Sequence, residues 1–95
     1  DGKSPLLLTI DDDNMRFEEF NKPESLRVLS TSSLSSSFKA GVKSYDTSSF
    51  KIVFLFKPSG TDYFDKIIKL AKDLGFEIGY DPIEESQQVI FSVPD

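Results

Sequence analysis

The chain is 95 residues long and carries 16 acidic against 11 basic residues, a formal net charge of −5. That length supports one domain with a single core, and the acidic balance argues against a nucleic-acid footprint, which needs a basic field. Cys, His and Trp are absent, which excludes disulfides, thiolate chemistry, and the usual general base and commonest metal ligand.

Nine Phe and three Tyr supply the core instead. The longest apolar run, Leu6-Leu7-Leu8, is far short of the ~20 residues that span a bilayer. No signal-peptide pattern is present, and a first residue of Asp1 rather than Met is what a piece of a longer or processed polypeptide would show. Without cysteine, the redox compartment is left open.

In chain order, Ser4–Ile10 reads as a short edge strand, because Pro5 suits the start of one. After Asp11-Asp12-Asp13-Asn14, the spacing of Phe17 and Phe20 and the stop at Pro23 predict one or two turns of helix over 13–21. A strand from Met15 to Phe20 is the competing reading. Ser25–Leu29 reads as a strand. The run Ser30–Ser37 has too little apolar content to bury and reads as a Ser-rich connector, so residues 1–37 are expected to be less regular than 38–93. Phe38, Ala40 and Val42 alternate with Lys39, Gly41 and Lys43, which predicts a strand paired in a hairpin with the next one.

Phe50, Ile52, Phe54 and Phe56 alternate with Lys51, Val53, Leu55 and Lys57, so both faces of this strand are apolar at its middle and it belongs inside a two-sided structure or beside a partner. Pro58-Ser59-Gly60 then breaks the strand. A helix over about 61–74 follows, capped by Ser59 or Thr61, with Phe64, Ile67, Ile68, Ala71 and Leu74 on one stripe and Lys66, Lys69 and Lys72 facing away. Gly75 supplies a left-handed exit, and Phe76 folds back on the last turn. Two further strands are predicted, one with Phe76, Ile78 and Tyr80 on a face, the other over 88–93 with Val89, Phe91 and Val93 on one face and Ile90 on the other.

The expected fold is α+β: a single domain over 1–95 with a small antiparallel or mixed sheet and one main helix packed on one face. Its C-terminal half, strand-helix-strand-strand, is half of a ferredoxin-like unit, and a right-handed crossover makes the first two of those strands parallel. Such a unit serves many unrelated functions.

The features that suggest chemistry have plainer readings. Asp11-Asp12-Asp13 offers carboxylates to a hard cation, but Met15, Arg16 and Lys22 stand where a calcium loop needs its later ligands and glycine. Ser59-Gly60-Thr61 lacks the glycines and following lysine of a phosphate loop, and Asp62 and Asp65 repel an anion. Glu84-Glu85 reads as a solvent-facing pair on a loop. No metal, no cofactor and no enzymatic activity are therefore expected.

The expected function is that of a non-catalytic protein-interaction or assembly module of a larger protein. Its candidate interaction face is the second side of the sheet, with Val53, Leu55 and Ile90, which receives either the chain's own amino-terminal residues or another chain, a second copy included. The runner-up is a regulatory domain that senses a small ligand or lipid held between sheet and helix. Ser30, three residues after Arg27, is a candidate phosphorylation site.

Overall fold

The structure, a computed structural model, describes residues 2–85. β1 (Ser4–Ile10), β2 (Asn14–Glu19) and β3 (Lys22–Ser30) form an antiparallel meander. A short 3-10 turn (Thr31–Ser33) leads into α1 (Leu34–Val42), then β4 (Phe50–Phe56), a second 3-10 segment (Pro58–Tyr63), α2 (Phe64–Asp73) and β5 (Ile78–Pro82). The five strands make one mixed sheet in the order β3-β2-β1-β4-β5, with β1, β4 and β5 parallel. The α+β class and the parallel strand-helix-strand unit are as the sequence predicts. The strand expected over 88–93 lies outside the described residues.

β1 is the central strand, not an edge. Its residues Leu6 to Ile10 are all buried, because β2 flanks one side and β4 the other. Pro5 does not forbid this: it sits at the end of the strand, and its carbonyl accepts the Phe20 amide. Residues 14–19 form a strand rather than a helix. Asp11 closes the preceding turn by accepting the Asp13 and Asn14 amides on Oδ1, which favours a hairpin over helix initiation. Asn21, at φ 60°, supplies the left-handed residue of the β2–β3 turn. Ser25 fills the irregularity between these strands by accepting from the Glu19 amide and donating to the Lys22 carbonyl.

The Ser-rich stretch is also regular, contrary to the expected connector. Ser30 caps the 3-10 turn by accepting the Ser32 amide, and 34–42 is helix, so no hairpin joins 38–43 to β4. Leu34, Phe38, Gly41 and Val42 form the buried stripe at helical spacing, and the serines take the outer positions. Phe38, Ala40 and Val42 satisfy period two as well, but burial follows only the helical set.

Both helices cover the same face of the sheet. Leu6, Leu8 and Ile10 from β1, Met15 and Phe17 from β2, and Ile52, Phe54 and Phe56 from β4 meet Leu34, Phe38 and Val42 from α1 and Ile67, Ile68 and Ala71 from α2. Aromatic rings run across this layer: Phe17–Phe38 at 6.5 Å, Phe38–Phe54 at 6.2 Å, Phe54–Phe56 at 5.8 Å and Phe56–Phe64 at 4.9 Å between centroids. The space between sheet and helices is thus filled by side chains.

α2 ends in a Schellman motif, with Phe76 N–H bonded to Ala71 O, Gly75 N–H to Lys72 O, and Gly75 at φ 92°. Its start differs from expectation. Tyr63 stands at the N-cap without a side-chain capping bond, its hydroxyl donating instead to the Asp12 carbonyl, and Thr61 donates to the Pro58 carbonyl. Leu74 is left exposed, and Lys69 pairs with Asp73 at 3.3 Å.

Gly60 lets the chain after β4 pass directly over the end of β1. A β-carbon there would press into the Ile10 carbonyl, a backbone group that cannot move aside cheaply. Gly60→Ala is expected to cost about 1–3 kcal/mol by overpacking, read as a lower urea midpoint at unchanged slope. An unchanged midpoint would contradict this close approach.

Candidate interaction face

With both helices on one side, the sheet has a second side that no described helix covers. Strand register places Val28, Arg16, Thr9, Leu55 and Asp81 in one row across it, and Glu18, Leu7, Val53 and Gly79 in the next. Val53 and Leu55 therefore do share a face, and Leu7 and Thr9 of β1 join them directly. The amino-terminal residues do not lie over this face; they enter the sheet edge-on and contribute to it. Ile90 falls outside the described residues.

The centre of the face is closed to solvent: Leu7 and Leu55 are each 7% exposed and Thr9 9%, while Val53 is half-buried. Accessible apolar surface lies instead on the β2–β3 hairpin, where Phe20 is 44%, Leu26 37% and Val28 46% exposed. β3 is the outermost strand on its side among the described residues. These residues carry no short-range motif; the available signal was the exposed partner of an alternating strand, Val28 beside inward Leu29.

β3 is tied to the helix layer from behind. The Arg27 guanidinium donates to the Gly41 carbonyl in the last turn of α1 and lies 5.7 Å from the ring centroids of both Phe17 and Tyr45. The Tyr45 hydroxyl donates to Glu19 Oε2 at 3.0 Å, and Glu19 also meets Lys22 at 3.4 Å. Gly41 makes the arrangement possible, since a β-carbon there would collide with the Phe17 ring. The hairpin edge is thus tied to the helix layer by a cation held between two rings.

The remaining sequence candidates have structural duties. Asp11 is committed to its turn, and no group of three or more metal-ligating side chains exists among the described residues. Glu85 does not point idly into solvent: it accepts from the Ser59 amide at 2.9 Å and the Ser59 hydroxyl at 2.6 Å. Those bonds hold its carboxyl below the ordinary value. Ser30 shares its hydroxyl with Ser32, at 2.9 Å, while capping the turn.

Two of the grooves on the outer side of the helix layer are lined by described residues. One, of about 430 Å³, lies between the C-terminal ends of the helices, with Ala40, Val42, Leu74 and Phe76 among its lining residues. The other, of about 460 Å³, lies between α2 and β5 and includes Phe64, Ile68 and Tyr80. Comparison with protein-family models, with curated proteins and with solved structures gave no match to this chain.

Burial, and then the hydrogen bond to Glu19, raise the Tyr45 hydroxyl above its ordinary value of 10.0. Folding therefore favours neutral Tyr45. This contribution is complete below the ordinary value and is lost as pH rises through the raised one. Tyr45→Phe is expected to flatten the alkaline fall in stability, measured by urea unfolding at stepped pH. Identical alkaline slopes in the two proteins would show that Tyr45 is not the group responsible.

Proposed function

We propose that this chain is a non-catalytic protein-interaction module of a larger protein, and that it docks an extended segment of its partner along β3. The observation that carries this reading is the edge itself: a nine-residue strand, outermost among the described residues, with Leu26 and Val28 exposed. An unpaired strand edge offers a row of backbone donors and acceptors, so an added strand gains main-chain hydrogen bonds and sets its specificity through alternate side chains. Val28 and Leu26 supply apolar contacts, with Phe20 at the adjoining turn. Half-buried Val53 belongs to the same side of the sheet as Val28.

The tie from β3 to the helix layer supports the same reading. A preorganised edge loses less freedom on binding, and the Arg27 clip holds β3 against α1 before any partner arrives. A second copy of the chain is one segment donor that this edge accommodates, because antiparallel pairing of β3 with itself is self-complementary under a two-fold axis. The runner-up function, a domain that senses a small ligand, has one observation in its favour: the apolar groove where both helices end.

The absence of cysteine allows a clean test. A photo-crosslinker attached at Val28→Cys is expected to capture one extended segment, of another protein or of a second copy, in extracts of the native source. The same label at Lys66→Cys, on the exposed side of α2, is expected to capture none of it. Equal capture at both positions, or none at Val28, would overturn the docking edge.

A further inference from the structure

The two grooves on the helix layer differ in charge, and the difference is informative. The groove between α2 and β5 carries Lys69 and Lys72 together with Asp65 and Asp73, and Lys69 already pairs with Asp73 at 3.3 Å. Its charges are balanced internally. Among the described residues the groove at the helix ends is lined by no acidic side chain, yet it carries Lys39 and Lys43, one helical turn apart and both exposed. Neither lysine makes an ion pair or hydrogen bond through its side chain among the described residues. On a chain of net charge −5, two unneutralised ammonium groups beside an apolar floor form a local exception.

From this we infer that the groove is a binding site for a small amphiphilic anion: an acyl chain on the apolar floor with its carboxylate between Lys39 and Lys43. The volume, about 430 Å³, lies in the range of small-molecule sites, which combine a mostly apolar lining with a few placed polar groups. Val42 and Phe76 are buried at the base of the groove, and Leu74 is exposed at its side. Phe76 is fixed there by the Schellman motif.

Two helix C-termini near one site would ordinarily repel an anion through their free carbonyls. Here most of those carbonyls are occupied. Ala40 O accepts from Lys43 N–H, Gly41 O from the Arg27 guanidinium, Val42 O from Tyr45 N–H, and Ala71 O and Lys72 O from Phe76 and Gly75. The lysines are the groups left free to meet a ligand. The site lies on the helix side of the molecule, away from the second side of the sheet, and rests on the ligand-sensing reading rather than on the β3 edge.

The test is titration of the isotopically labelled chain with decanoate below its micelle concentration, followed by amide chemical shifts. Saturable shifts are expected at Ala40, Val42, Thr47 and Leu74, with decyltrimethylammonium binding at least about fivefold more weakly. Lys39→Gln combined with Lys43→Gln is expected to weaken decanoate by about fivefold or more, the scale of exposed ion pairs, while leaving the rest of the spectrum in place. Absence of saturable shifts, shifts elsewhere, or indifference to both charge changes would overturn the proposal. Saturation by an acidic peptide such as acetyl-Glu-Leu-Phe-Glu-amide, with none by decanoate, would overturn it too and assign the groove to a protein partner. None of these outcomes bears on crosslinking at Val28, so the two proposals fail separately.

Discussion

The parallel pairing of β1 with β4 is the constraint on which the rest of the structure depends. Seven consecutive residues of each strand are in register, from Ser4 opposite Phe50 to Ile10 opposite Phe56. Parallel neighbours cannot be joined by a tight turn, so the chain between them must cross over the sheet. It uses that length to build the β2–β3 hairpin and α1. α2 then repeats the crossover on the same face between β4 and β5. Placing both crossovers on one side buries Leu6, Leu8, Ile10, Ile52, Phe54 and Phe56. The same placement leaves the opposite side of the sheet without a described helix.

This pairing also explains why two strands are apolar on both faces. On the side facing away from the helices, Leu7, Thr9 and Leu55 are nearly inaccessible. Accessible apolar surface therefore moves outward to the hairpin edge, at Leu26 and Val28. The module's proposed docking strand is consequently an edge backed by a filled core, with Arg27 between Phe17 and Tyr45 fixing its position.

The parts of the fold that were legible in the sequence are those where only one periodicity fits. β4, the buried stripe of α2 and the Gly75–Phe76 exit follow directly from their residues, and strand alternation puts Val53 and Leu55 on one side of the sheet. The N-terminal half was harder because its patterns fit two periods. Phe38, Ala40 and Val42 fit a strand, but Leu34, Phe38 and Val42 fit a helix, and tertiary contact with Phe17 and Phe54 decides between them. Pro5 suggested an edge, but β4, more than forty positions further along the chain, made β1 central. Long-range pairing of this kind leaves no local mark. For the same reason Leu7 and Val28 were not legible as members of the face, since only the strand order reveals which side they share with Leu55. The groove at Lys39 and Lys43 was hidden too, because reading 38–43 as a strand put the two lysines on a different surface.

Residue-resolved amide hydrogen exchange on the isolated chain tests the central claim most directly, since it reports both the interior pairing and the free edge. The amides of Leu6–Thr9 and Ile52–Leu55 should exchange only through global unfolding. Alternate amides of β3, those directed away from β2, should exchange many times faster in the same sample. Uniform protection along β3 equal to that of β1 would contradict a docking edge open to a partner, and rapid exchange at Leu6–Thr9 would contradict β1 as the centre of the sheet.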